Sequence, residues 1–102
     1  MMTSDEIEAE FRDRAVAHGG NLILLIPEDA IALVKRCHRE GVKILGIDAF
    51  RVAKGTTQPL MEYSIDFSLN EKTLPGRGYW QEAEALLRKN ASLGLVFEVT
   101  LA

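Results

Sequence analysis

The stretch from Leu22 to Val52 constrains the fold more than any other, because three differently patterned segments follow one another with short breaks. Leu22 to Ile26 is apolar at every position, which is typical of a central strand. Pro27 then opens a segment of helical periodicity that ends at Gly41. Val42 to Val52 has the composition of a second, long strand. The stretch therefore predicts a strand, an amphipathic helix and a strand.

The helix after Pro27 is the best-marked element of the chain. Glu28 and Asp29 lie in its first turn and basic residues fill its last turn, so both ends complement the helix dipole. Its apolar stripe, which predicts the buried face, consists of Ala30, Leu33, Val34 and Cys37.

The two ends of the chain predict further elements. Thr3 and Glu6 have the spacing of a capping box, and the helix that they begin is expected to end at residues 18–20. A third helix is expected to start at Trp80 and to end around Asn90 to Gly94, followed by a last strand from Leu95 to Leu101.

The segment from Pro59 to Ser68 alternates between apolar and polar residues, which predicts a strand with one solvated face. The predicted inward side chains are Met61, Tyr63, Ile65 and Phe67, and the predicted outward ones are Glu62, Ser64 and Asp66. The turn before it is expected at Ala53 to Thr57, and Gly46 within the preceding strand indicates a bulge or a close backbone approach.

The order of these elements predicts an α+β fold in a single domain spanning residues 1–102. An N-terminal helix is followed by strand, helix, strand, strand, helix and strand, which matches the βαββαβ arrangement of a ferredoxin-like two-layer sandwich with a four-stranded sheet. The alternative is a mixed sheet in which the first two strands are parallel neighbours joined by a right-handed crossover.

Composition limits the classes of function. A formal net charge of −3 argues against a surface for nucleic acid or for an anionic membrane. The single cysteine excludes an intrachain disulfide, and the longest apolar run, Leu22 to Ile26, is too short to cross a bilayer. Acidic Asp5 and Glu6 replace the basic start of a signal peptide, so a cytoplasmic protein is expected.

The residue types that usually carry catalysis or bind metals are sparse. Adjacent helical residues point about 100° apart, so Cys37 and His38 cannot act together, and Cys37 is expected in the core. His18 and His38 lack further ligands at zinc spacing, so no metal or other cofactor is expected. The segment 76–78, Gly-Arg-Gly, has two interpretations, an anion cradle or a flexible loop entering a helix.

Acidic side chains are the best candidates for a binding surface. Asp48 stands within an apolar strand, so it is either a structural residue with a polar partner or a recognition residue. Glu62 and Asp66 are expected on the solvated face of the next strand, as plain solvent-exposed residues or as an acidic patch for a basic protein.

The residues from 27 to 68 resemble the immunity protein 40 family of bacterial toxin systems. The resemblance lies in the helix that starts at Pro27, the break at Gly41, and the run Ile44-Leu45-Gly46-Ile47-Asp48, which matches an I-L-G-x-D core. A polar hairpin and a second strand follow in both. At residues 65–67 the chain has Ile-Asp-Phe where the family has an Asn-Trp pair.

The resemblance implies a cytosolic, non-enzymatic protein that neutralises a cognate toxin by binding it. From the chain itself we infer Asp48, Glu62 and Asp66 as recognition carboxylates, with Tyr63 and Trp80 as aromatic anchors. One alternative is a ferredoxin-like domain that binds a small molecule or forms a homodimer. Another is a small enzyme that uses Asp48 or Glu62 as a base and Arg77 to hold an anionic substrate.

Overall fold

The structure is a computed structural model that describes residues 2–19, 22–67 and 78–102. Its helices are α1 (Ser4–Arg12), α2 (Pro27–Glu40) and α3 (Trp80–Lys89). Its strands are β1 (Ala17–Gly19), β2 (Leu22–Leu24), β3 (Ile44–Ala53), β4 (Thr56–Pro59), β5 (Ile65–Asp66) and β6 (Val96–Leu101). Mixed helix and antiparallel sheet confirm the α+β class.

The predicted helix signals are confirmed at α1 and α2. The Thr3 hydroxyl accepts a hydrogen bond from the Glu6 backbone N–H, and the Glu6 carboxylate accepts one from the Thr3 backbone N–H. α2 ends at Gly41, whose φ of +72° is a conformation that glycine adopts without strain. The predicted end of α1 at residues 18–20 is wrong, because residues 17–19 find backbone partners in β2 and form β1 instead.

Strand β3 organises the main sheet. One of its edges pairs with β6. The other edge pairs with β5 at residues 46–47 and with β4 at residues 50–53, and all these pairings are antiparallel. The first predicted strand joins through Leu25, which pairs antiparallel with Phe97 at the far edge of β6. The ferredoxin-like order is not confirmed. The parallel alternative is wrong for the described residues, since β2 pairs with β1 and Leu25 with β6.

One face of the sheet carries the helices and the hydrophobic core. Ile47, Ala49 and Phe97 are fully buried there, and α2 packs against β6 while α3 packs against β3. The predicted helix stripe from Ala30 to Cys37 is buried in the same cluster. Side chains of β3 and β6 that alternate with these residues point away from the helices.

The prediction of one alternating strand from Pro59 to Ser68 is wrong. Pro59 ends β4, residues 61–63 form a 3₁₀ turn, and pairing with β3 resumes at Ile65–Asp66. The Ser64 hydroxyl explains the interruption, because it accepts a hydrogen bond from the Ala49 N–H and donates one to the Leu60 carbonyl. A side chain thus replaces a backbone partner, and Met61, predicted to point inward, is 80% exposed.

Gly46 lies where β5 pairs with β3, and the predicted bulge and close backbone approach are confirmed there. The pairing register with β6 shifts between Ile44 and Gly46, which marks a bulge. A Cβ atom at Gly46 would lie 2.9 Å from the Ile65 carbonyl oxygen. Only a residue without a side chain lets β5 approach this closely.

Candidate protein-binding surface

Asp48 points to the sheet face away from the helices and is exposed. Its neighbours Ile47 and Ala49 are fully buried on the helix side, so strand alternation fixes this direction. Directly across the β3–β6 pair lies Glu98. Two carboxylates therefore occupy facing positions on adjacent strands, an arrangement that repulsion makes unfavourable.

Neither carboxylate of this pair has a cationic partner within the described residues. Burial, followed by the negative charges of Asp48 and Glu8, raises the pKa of the Glu98 carboxyl above its ordinary value. The fold thus holds Glu98 where its ionised form is disfavoured, and a cation brought to this position would relieve the repulsion.

Asp66 lies on the same side, next to Asp48. It stands opposite Gly46 in the β3–β5 pair, and both acids border a shallow depression of about 260 Å³. Its other lining residues are Leu45, Gly46, Ile65 and Thr100. We call Asp48, Asp66 and Glu98 together the acidic sheet face.

Glu62 and Tyr63 lie elsewhere. They belong to the 3₁₀ turn and line a surface recess together with Leu86 and Lys89 of α3, on the helix side of the sheet. Glu62 is exposed, whereas Tyr63 is half-buried against the core. The structure therefore separates Glu62 from Asp66, with which the alternation pattern had grouped it, and also from Asp48.

Trp80 is held at the start of α3 by two contacts. Its indole N–H donates a hydrogen bond to the Val42 carbonyl at 2.7 Å, and its ring stacks on His38 with 4.6 Å between centroids. The ring also lies so close to Gly78 that a Cβ atom there would overlap it. Through these contacts Trp80 packs where α2, α3 and the start of β3 meet.

Cys37 is fully buried in α2, as predicted. Burial, and to a smaller extent the negative charge of Glu8, raises the pKa of its thiol to about 12. A thiol with this pKa is uncharged near neutral pH, so Cys37 is not a nucleophile in the folded protein. His38 is exposed at the next helical position, and its ring stacks on Trp80.

Gly76 and Arg77, part of the predicted anion cradle, lie outside the described residues, as does the side chain of His18. Across the described ranges no group of three or more histidine, cysteine, aspartate or glutamate residues is placed to hold a metal ion. No helix in those ranges is long and apolar enough to cross a membrane.

Glu98 and Glu8 are the site residues that sequence reasoning missed. Phe97 and Val99, on either side of Glu98, are buried, so the apolar-polar alternation of this strand is the local signal that could have placed Glu98 outward. The position of Glu98 opposite Asp48 required the register between strands 50 residues apart, which no local pattern supplies. Glu8 enters only through the packing of α1.

Comparisons with known proteins give no assignment. No protein-family model matches this chain, and no curated protein is similar to it.

Proposed function

We propose that this protein is a non-enzymatic protein-binding domain, and that it serves as an immunity protein which neutralises a cognate bacterial toxin through the acidic sheet face. The observation that carries the proposal is the pair of facing carboxylates on β3 and β6, Asp48 and Glu98, without a cation in the described residues. Such a pair costs stability in the free protein and favours a basic partner.

The shape of this surface fits a macromolecular partner. The depression between Asp48 and Asp66 is open and shallow. A basic side chain projecting from a protein surface could reach Asp48 there. The choice of a toxin as that partner comes from the resemblance of residues 27–68 to the immunity protein 40 family. Asp48 is the aspartate of the I-L-G-x-D run within those residues.

Three of the predicted partner-binding residues, Glu62, Tyr63 and Trp80, do not belong to the acidic sheet face. The Trp80 indole is engaged by Val42 and His38, so we assign it to supporting the fold. Glu62 and Tyr63 lie beside α3, away from the acidic sheet face, so we leave them outside the contact.

The test is calorimetric titration of this protein with the purified product of the adjacent gene, the expected toxin. Tight one-to-one binding is expected for the wild type. Asp48→Lys should weaken it by about a hundredfold or more, because the reversed charge faces the partner's cation. Glu62→Lys makes the same change in net charge outside the acidic sheet face and should leave the affinity within about threefold. Equal binding by the Asp48→Lys variant would refute this mode of recognition.

A further inference from the structure

A cleft separates β2 from β6 on the side of α1. The two strands meet at Leu25, whose N–H donates to the Phe97 carbonyl at 2.9 Å and whose carbonyl accepts from the Phe97 N–H at 2.8 Å. Upstream of this point β2 pairs with β1, and Ile23 does not pair with Val99. The cleft between them is lined by Glu8, Phe11, Ile23, Leu33, Glu98, Val99 and Thr100.

The edge of β6 that faces this cleft has backbone N–H and C=O groups without a strand partner in the described residues. Residues two apart in a strand point their N–H and C=O groups to the same edge, and Phe97 uses both groups toward Leu25. Val99 therefore directs its own N–H and C=O into the cleft, where no described strand pairs with it. The Val99 carbonyl can therefore accept a hydrogen bond from a donor that enters the cleft.

Two carboxylates border the same cleft above an apolar lining. Glu8 is half-buried, and its negative charge contributes to raising the pKa of both the Cys37 thiol and the Glu98 carboxyl. Within the described residues neither glutamate forms an ion pair. Below them the walls are formed by side chains of Phe11, Ile23 and Leu33.

The size of the cleft indicates what can enter it. Its volume is about 140 Å³. Cavities of about 150 Å³ hold a group of the size of benzene. One long side chain fits a space of this volume, whereas a nucleotide or a folded peptide segment is too large for it. Apolar walls under a pair of carboxylates suit a side chain that has an aliphatic stem and a cationic end.

We propose that the cleft between β2 and β6 accepts a single lysine or arginine side chain of the protein partner, with the stem against Phe11 and Leu33 and the cation between Glu8 and Glu98. The inference deepens the proposed function, because it rests on a protein partner with a basic surface. It adds an anchor pocket beside the acidic sheet face, and Glu98 belongs to both.

The pocket can be tested without the partner. A capped lysine tripeptide (acetyl-Gly-Lys-Gly-amide) is titrated into the ¹⁵N-labelled protein, and amide shifts of Ile23, Val99 and Thr100 are followed by NMR. Saturable shifts at these positions are expected, with a dissociation constant on the order of millimolar. The same peptide acetylated at the lysine Nζ keeps the stem without the charge and should bind about tenfold more weakly.

Variants separate the pocket from general attraction to an acidic protein. Glu8→Gln and Glu98→Gln should each weaken the lysine peptide by about fivefold to tenfold. Glu40→Gln, which removes the same charge at the far end of α2, should have no effect. Equal binding of the acetylated peptide, shifts confined to Asp48 and Asp66, or no saturable shift would each overturn the pocket.

The two proposals can fail separately. If the lysine peptide does not bind but Asp48→Lys abolishes binding of the toxin, only the cleft is refuted. If the peptide binds as expected but the adjacent gene product does not associate with this protein, the cleft stands as a site for basic side chains and the assignment as an immunity protein fails.

Discussion

Replacing Asp48 with lysine should stabilise the free protein while it weakens the proposed partner interaction. Asp48 faces Glu98 across β3 and β6, on the side of the sheet away from α2 and α3. A lysine in place of Asp48 converts a repulsive cross-strand pair into an attractive one. Asp48 is exposed and no hydrogen bond or ion pair holds it within the described residues, so the substitution breaks no contact there.

The expected size of the effect follows from the geometry. Opposite charges on directly facing strand positions stabilise by about 0.2–1 kcal/mol, and like charges destabilise by a similar amount. Because Asp48 is open to solvent, screening keeps the combined gain in the free energy of unfolding near about 0.5–1 kcal/mol. For a domain of this size that corresponds to a rise in Tm of roughly 2–6 °C.

Thermal unfolding at pH 7 in low salt measures this gain, and the matched variant Glu62→Lys controls for net charge. Both variants change the formal charge from −3 to −1, yet only Asp48→Lys faces Glu98. The difference between them should shrink as salt rises from about 0.01 to 1 M, since the Debye length falls from about 30 to 3 Å. A Tm at or below that of the wild type for Asp48→Lys in low salt would show that the facing carboxylates do not repel each other measurably.

Three further outcomes are expected. Cys37, with its pKa of about 12 and no exposed surface, should react with iodoacetamide at pH 8 only through unfolding; alkylation of the native protein at the rate of a free thiol would contradict its burial. Gly46→Ala should lower the free energy of unfolding in urea by about 1–3 kcal/mol, because its Cβ meets the Ile65 carbonyl; a change below about 0.3 kcal/mol would mean that β5 yields freely. Glu98→Gln should raise Tm at pH 7, where the wild-type carboxylate is ionised against its raised pKa. That advantage should vanish below pH 4.5, since the stability linked to a raised carboxyl pKa is fully present below the ordinary pKa and is lost as pH rises through the folded one. A constant difference in Tm across this range would refute the assigned cause.

Local patterns predicted those elements that local physics determines. α2 combined a proline start, charged ends and a four-residue apolar stripe, and it begins at Pro27 as expected. Gly46 stood out as a glycine inside a strand, and the close approach of β5 accounts for it. In both cases the residues that decide the structure lie within a few positions of one another.

The failed predictions depended on contacts between distant segments. An apolar-polar alternation from Pro59 onward could not show that Ser64 would bond to Ala49 and shorten the strand. The strand order depended on β2 pairing with β1 and meeting β6 only at Leu25. The facing of Asp48 and Glu98 came from the same long-range register, so the sequence showed the acids but not their grouping.

The distribution of charge over the molecule bears on how a partner would approach. The groove between α1 and α2 is lined by Glu10 and by Arg14, Lys35, Arg36 and Arg39. Arg14 pairs with Asp29 and Arg36 with Glu10, so Lys35 and Arg39 leave the groove positive, whereas the acidic sheet face lies on the side of the sheet away from α2 and α3. A net charge of −3 is too small to attract a basic protein strongly as a whole. Separation of the charges does more, since it repels a basic surface from the α1–α2 groove and attracts it to the sheet. If the acidic sheet face guides association, added salt should slow the association rate of the partner far more than it raises its dissociation rate.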